Sequence, residues 1–223
     1  MDTCLLCEGK LRDDGEQSFR RVTRWGYCTS CEFGQMTPMP SVESIHDYYA
    51  SGDYRRDTAR TANPGGDEND GPQERNLHEE TKRAETWLPH IGLPVASHLD
   101  VGSSSGRVLE LVGADRQVGI EPGPWGKLYT SYGSIGEVGG TFDLITVFHT
   151  LEHVPNPVEI LAAVERLAGG QVCVEVPAPR SRLWPHLVEW SVKSLSWAME
   201  QTGMPIEWVG REGNLRGWWR RGK

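Results

Sequence analysis

From residue 97 onward, short apolar runs alternate with stretches of helical spacing. The runs at 98–101, 118–121, 142–148 and 172–176 have the length and apolar content of buried strands. Between and after them, 106–112, 124–132, 156–167 and 186–202 predict helices. Strands separated by helices imply parallel βαβ units joined by right-handed crossovers. The chain closes with apolar stretches at 206–209 and 215–220 around Gly213 and Asn214, the pattern of an antiparallel hairpin added to a parallel sheet. Upstream, 73–91 reads as an amphipathic helix with Leu77, Ala84, Trp87, Leu88 and Ile91 on its apolar side. Residues 40–54 (PSVESIHDYYASGDY) place Ile45, Tyr48 and Tyr49 at helical spacing, so a short helix is expected to lay an aromatic face on the next domain. The segment 55–72 is polar and rich in Gly, Pro and charge, and reads as a linker. There is no internal repeat.

Composition narrows the choice. The 223 residues suffice for one α/β domain and a small appendage. Apolar residues are only 37%, but nine Trp and the Val/Leu/Ile runs supply a core. A net charge of −8 weighs against a broad surface for nucleic acid or anionic membrane. No apolar run is long enough to span a bilayer, and MDTCLLCEGK is not built like a signal peptide. A soluble, cytoplasmic protein is expected. The ending RGWWRRGK reads as a strand with a solvated basic end.

Four of the five cysteines form two CxxC pairs, Cys4/Cys7 and Cys28/Cys31, with twenty residues between. Two CxxC turns can close a tetrahedron of sulfur around Zn²⁺. All four positions are Cys, leaving none for water, so a structural zinc ribbon over 1–36 is favoured over a redox dithiol. The expected organisation is a ribbon at 1–36, a connecting segment at 37–72 and an α/β domain at 73–223. Cys173, within VCVEV, reads as a buried strand residue.

The stretch HLDVGSSSGRVLELV carries the strongest ligand signal. An apolar strand ends at Asp100, a tight turn runs from Gly102 to Gly106, and a helix follows. Glu121 ends the next strand nineteen residues after Gly102, a place suited to ribose hydroxyls. The turn GSSSG lacks the GxGxxG register of a dinucleotide site. An acidic strand end suits a sulfonium cofactor better than a pyrophosphate.

The series LDVGSSSG, VGIEPG, FDLITVFHTLEHVPNP and VCVEVPAP resembles class I S-adenosylmethionine-dependent methyltransferases. The tail HLVEWSVKSLSWAMEQTGMPIEWV resembles the closing helix and strand of that family. CTSCEFGQMTPMPSVESIHDYYASGDY is similar to the zinc ribbon and YY segment that precede some of these domains, including those related to sugar C-methyltransferases. The resemblance implies a Rossmann-like, seven-stranded α/β sheet with a small N-terminal ribbon. It implies that Asp100, Gly102, Ser103 and Gly106 frame the methionine moiety and that Glu121 binds ribose. Pro122 and Trp125 are then on the adenine side, with Phe148 and His149 beside the sulfur. One departure is a short third-strand region, SIGEVGGTFD, where Glu137 or Ile135 stands in for the family's acidic adenine contact.

Methyl transfer needs an aligned acceptor, exclusion of water and, where the acceptor carries a proton, a base. His149, Glu152 and His153 follow the fourth strand, Glu175 ends the fifth, and His186 comes shortly after. Strand carboxyl ends share one crevice, so these groups are expected to converge. His149 is the leading candidate base, with Glu175 and His153 as further catalytic candidates. His149, Glu152 and His153 also have the spacing of a divalent-ion cluster, a pattern satisfied equally without metal. Trp184, Trp190 and Trp197 are expected in or beside the last helix, as core or as a pocket wall. The expected function is methyl transfer to a small-molecule acceptor, and the resemblance points to a sugar or sugar nucleotide. The competing readings are a non-catalytic binding module with a degenerate cofactor site and a nucleic-acid or protein methyltransferase that docks through the ribbon. Oligomeric state is left open.

Overall fold

The computed structural model describes residues 3–19, 21–54, 72–123, 130–179, 185–210 and 213–222. Trp125, Trp184 and residues 55–71 of the expected linker lie outside the described residues.

The main sheet is built from β4 (Ser97–Val101), β5 (Arg116–Ile120), β6 (Thr130–Tyr132), β7 (Phe142–Phe148), β8 (Ala168–Pro177), β10 (Glu207–Gly210) and β11 (Asn214–Arg220). Their order is β10-β11-β8-β7-β4-β5-β6. The pairs from β8 through β6 are parallel, and the β10–β11 hairpin is antiparallel to β8. This is the expected Rossmann-like seven-stranded α/β sheet. The chain runs outward from β4 to β6 and then returns to place β7 on the other side of β4. Ligand crevices form at such a reversal, beyond the strand carboxyl ends. The central strands are buried on both faces, as strands covered on both sides require.

The helices are α1 (Val42–Ala50), α2 (Pro72–Trp87), α3 (Arg107–Val112), α4 (Pro157–Leu167) and α5 (Val192–Gln201). Ser41 caps α1 through the Ser44 amide, and α1 buries Ile45 and Tyr48 as its spacing predicts. On α2, Ala84 and Trp87 are buried, whereas Leu77 is exposed.

Two sequence expectations are corrected. The helix expected over 186–202 begins only at Val192, where Ser191 and Ser194 form a reciprocal cap. The preceding residues form β9 (Val188–Glu189), because β3 (Gly34–Met36) offers their backbone a pairing edge. In the helix expected over 124–132, residues 130–132 form β6, parallel to β5; residues 124–129 lie outside the described residues.

The N-terminal sheet consists of β1 (Leu11–Phe19), β2 (Arg21–Cys28) and β3, with β9 as its fourth strand. Gly34 faces Glu189 across this seam, where a Cβ would come within 3.1 Å of the Glu189 side chain. Next to it, Phe33 and Trp190 pack edge to face at 4.9 Å, both essentially inaccessible. The ribbon's Trp25, Phe33 and Met36 therefore share one hydrophobic core with Leu187, Trp190 and Leu195. A segment too small for a core of its own borrows one.

Trp190→Ala is expected to lower the unfolding free energy by about 3–5 kcal/mol, the usual range for emptying a fully buried aromatic site. Urea denaturation followed by far-UV circular dichroism measures it, and a loss below about 1 kcal/mol contradicts the shared core.

Candidate active site and cysteine cluster

The turn after β4 is shaped by backbone geometry. Gly102, Ser104 and Gly106 all have positive φ, at 80°, 47° and 83°. At Gly102 a Cβ would overlap the Thr150 hydroxyl, which itself donates to the Val101 carbonyl at 2.7 Å. The Gly102 and Ser103 amides donate to the Ile120 carbonyl at 2.9 and 3.0 Å, and so lock the turn to β5. The Ser104 amide donates to Glu121 Oε2 at 3.0 Å, and the Gly123 amide to Oε1 at 2.9 Å. The Glu121 carboxylate is thereby fixed at the end of β5. Ser105 donates a short hydrogen bond to Glu80 of α2.

Asp100 lies one layer deeper, 3% exposed. Thr146 donates to it at 2.6 Å, so that hydroxyl proton is committed and Thr146 must accept from His98 Nε2 at 2.8 Å. Burial pushes Asp100 up to about 7 and His98 down to about 3. This column of polar side chains links β4 to β7 beneath the turn.

A cleft of about 330 Å³ opens above the strand ends. One side is formed by Gly102, Ser104, Glu121, Pro122 and Ile135, and another by His149, Thr150 and His153. Its cover comes from α1 and the segment after it, through Ile45, His46, Tyr49 and Tyr54. Of the cofactor residues expected from the sequence, Gly102, Glu121, Pro122 and His149 line the cleft. Asp100, Ser103, Gly106 and Phe148 support it from behind: Phe148 stacks on Trp87 at 5.3 Å, and Ser103 is 3% exposed. On the shortened third-strand side Ile135 is buried against the cleft, while Glu137 is exposed. None of the tryptophans among the described residues lines it.

His149, in a left-handed conformation with φ 51°, stands between two carboxylates. Its Nε2 is 3.1 Å from Glu175 Oε1 and its Nδ1 is 3.3 Å from Glu152 Oε1. Burial alone would lower its pKa, but the two carboxylates outweigh that and raise it. Glu175 is 2% exposed and rich in donors: Trp87 Nε1 and Asn214 Nδ2 at 2.7 Å, Arg216 Nε at 3.0 Å, and Arg83 Nε at 3.5 Å. Burial opposes its charge, yet hydrogen bonds from His149 and Trp87 and the Arg83 charge bring its pKa down to about 2. His153 lines the cleft and meets the Tyr49 and Tyr54 rings edge-on at 6.1 and 6.2 Å. The sequence pointed to the YY segment as a packing helix. Its place over the cleft, and the donors that α2 and β11 send to Glu175, depend on contacts between distant parts of the chain.

The two CxxC turns have matching hydrogen bonds. The Cys4 and Cys28 amides donate to the Gly9 and Phe33 carbonyls at 2.8 and 2.9 Å. The Glu8 and Glu32 amides donate back to the Cys4 and Cys28 carbonyls at 3.0 and 2.8 Å, with φ of 58° and 62° at those glutamates. Cys4 and Cys31 sulfurs lie 3.6 Å apart, and those of Cys7 and Cys28 3.5 Å. All four fall within 4.8 Å of one another, close to the roughly 3.8 Å edge of a tetrahedron with Zn–S bonds of about 2.3 Å. Burial pushes Cys4 up to about 11 and Cys31 higher still, while at Cys28 amides from Cys31 and Ser30 outweigh burial and bring it to about 7. A dication among the sulfurs would favour the thiolates that burial opposes. Cys173 is fully buried in β8, as expected.

The sequence matches the family described as Methyltransferase domain over residues 49–220. Among solved structures, the magnesium protoporphyrin IX methyltransferase ChlM from Synechocystis PCC 6803 with bound S-adenosylmethionine is similar, with TM-score 0.59 and 14% identity, covering 83% of this chain and 99% of that one. A methyltransferase in complex with the Trm112 activator from Haloferax volcanii has TM-score 0.53 and 13% identity, covering 66% and 94%. CalS10, an amino pentose methyltransferase from Micromonospora echinaspora, has TM-score 0.50 and 14% identity, covering 68% and 92%. No curated protein matches the sequence. No helix among the described residues is long and apolar enough to cross a membrane.

Glu175→Gln is expected to cost about 3–5 kcal/mol, because it unbalances a buried, multiply bonded charge. The Glu175 pKa is depressed on folding, so its stabilising contribution is present above the ordinary carboxylate value of 4.5 and is lost as pH falls toward about 2. Thermal melts between pH 6 and 2 should therefore decline less steeply in the variant than in the parent across that acid window. Parallel slopes for the two proteins contradict the assignment.

Proposed function

The chain belongs to the methyltransferase-domain family and is an S-adenosylmethionine-dependent methyltransferase, and on that premise we propose that it methylates a small-molecule acceptor of the sugar or sugar-nucleotide class. The observation that carries this reading is the cleft covered by α1, which joins the Glu121 end of the strands to the His149 end in one continuous space. Its volume, about 330 Å³, suits a small ligand. Tyr49, Tyr54, His149 and His153 offer aromatic faces and polar groups together, a lining that suits a polyhydroxylated ring. The likeness to an amino pentose methyltransferase is in keeping with it.

The cofactor supplies an electrophilic methyl group on a sulfonium leaving group. Glu121, held by the Ser104 and Gly123 amides, is placed to accept from ribose hydroxyls. Gly102 keeps the turn open where a side chain would meet Thr150. Pro122 and Ile135 provide an apolar wall for adenine. Asp100, Ser103, Gly106 and Phe148 hold that frame in position.

His149 is proposed to serve as the base for the acceptor proton, with Glu152 beside Nδ1 and Glu175 beside Nε2 stabilising the imidazolium. Glu175 accepts from Nε2 and raises the basicity of the ring, so it acts through His149 as a positioning residue. His153 walls the acceptor end. The Cys4, Cys7, Cys28 and Cys31 tetrad is proposed to hold a structural Zn²⁺ that stiffens the ribbon and, through β3 and β9, the chain leading to the cleft.

Four measurements test this. S-adenosylhomocysteine at a hundred times its Kd should stabilise the protein by about 2.7 kcal/mol in a thermal melt. No shift at millimolar ligand would favour a non-catalytic module. His149→Asn should cut kcat by about 10²–10⁴ while S-adenosylhomocysteine affinity stays within about twofold. In the parent, kcat should rise with pH through the elevated His149 pKa, and Glu175→Gln should move the inflection to lower pH. Metal analysis should find one zinc per chain, and its removal by a strong chelator should lower the melting temperature. Unchanged melting after complete zinc loss would contradict a structural role.

A further inference from the structure

We propose that Glu152, His153 and His186 form a second metal site, for a divalent transition ion, at the acceptor end of the cleft. The evidence begins with a contrast between two buried carboxylates. Glu175 receives hydrogen bonds from Trp87, His149, Asn214 and Arg216. Glu152 is 1% exposed, yet among the described residues neither of its carboxylate oxygens has a well-formed hydrogen bond. The side chains that pair with it there are imidazoles, His149 Nδ1 at 3.3 Å and His153 Nε2 at 3.8 Å. A buried carboxylate left in that state costs several kcal/mol in general, which makes it a poor candidate for a purely structural residue.

The hydrogen bonding of His153 sharpens the point. Its Nδ1 lies 3.4 Å from the Pro185 carbonyl, and a carbonyl only accepts, so Nδ1 carries the proton. In the neutral ring Nε2 then presents a lone pair to Glu152 Oε1, with no proton between two acceptors. A cation resolves that opposition. Metal-binding histidines commonly give their other N–H to a backbone carbonyl in this way, which fixes the tautomer and aims the free nitrogen.

His186 completes the set. Its ring meets that of His153 at 4.8 Å and 77°, and the residue is held nearby because the Leu187 amide donates to the Glu152 carbonyl at 2.7 Å. One ligand atom from each of Glu152, His153 and His186 can be chosen so that all lie within 4.8 Å of one another. Bonds of about 2.1 Å require separations of roughly 3–4 Å, which a small rotation of the imidazoles reaches. Two imidazoles and one carboxylate suit zinc, iron, cobalt or manganese better than calcium or magnesium. Of the three, His153 lines the cleft, so a bound ion borders the acceptor space. If the proposed acceptor class is right, the ion would polarise an acceptor oxygen as a Lewis acid. Metal binding itself does not depend on that class.

The test starts from protein brought to one Zn²⁺ per chain, which the cysteine tetrad holds most tightly, then adds Co²⁺ and follows its absorption. Binding at the proposed site gives visible d–d bands that saturate at one Co²⁺ per chain, without the near-ultraviolet thiolate charge transfer of a cysteine site. His186→Ala and Glu152→Gln should each weaken this binding at least tenfold. S-adenosylhomocysteine affinity in His186→Ala, measured by calorimetry, should match the parent and shows that the fold and cofactor reading survive. Absence of saturable Co²⁺ up to millimolar, bands accompanied by thiolate charge transfer, or unchanged affinity in His186→Ala each overturn the proposal. None of those outcomes touches the methyltransferase assignment, which rests on cofactor binding.

Discussion

Glu175 is the constraint around which the catalytic end of the sheet is arranged. It sits on β8 with 2% exposure and draws Trp87 and Arg83 from α2, His149 from the loop after β7, and Asn214 and Arg216 from β11. A buried carboxylate is tolerated only if its charge is matched and its lone pairs are filled. Each of these elements is thus fixed relative to the others by a shared electrostatic requirement. The hydrophobic layers beneath supply most of the stability, but they are less directional. Glu175 decides which way the His149 ring faces.

The ribbon enters this arrangement through backbone pairing. The strand β9 joins β3 of the ribbon, and the next residue upstream, Leu187, bonds both to Met36 in the ribbon and to Glu152 beside the cleft. A chain of hydrogen bonds therefore runs from the cysteine knuckles to the groups next to His149. β9 thus ties the ribbon to the stretch that carries His186. The position of α1 adds a second coupling, because the segment after the ribbon forms the cover of the cleft.

Six of the seven strands of the main sheet, the Gly102–Gly106 turn and the paired CxxC motifs were legible in the residues, because each depends on local chemistry. Apolar runs of strand length, glycine where φ must be positive, and cysteine at metal spacing leave marks within a few residues of sequence. The helix over 186–202 was over-extended for a related reason. Val188 and Glu189 have no local signal against helix, and only the open edge of β3 makes them a strand. The third-strand side was mistaken for helix at 130–132 because three short, mostly polar residues become a strand only when β5 lies beside them.

Sequence alone determined the fold class, the family resemblance, the thiol tetrad and the cluster of acids and histidines at the strand ends. Tertiary structure decided which of these face the ligand space. Asp100, prominent in the motif, is a buried tie to Thr146 and not part of the cleft lining, whereas Tyr49 and Tyr54 reach the cleft from outside the sheet. It also decided that Glu175 is saturated with donors and Glu152 is not. The physical reason is that hydrogen-bond satisfaction and desolvation depend on what the rest of the chain brings within a few ångströms. A linear spacing rule carries no record of those partners.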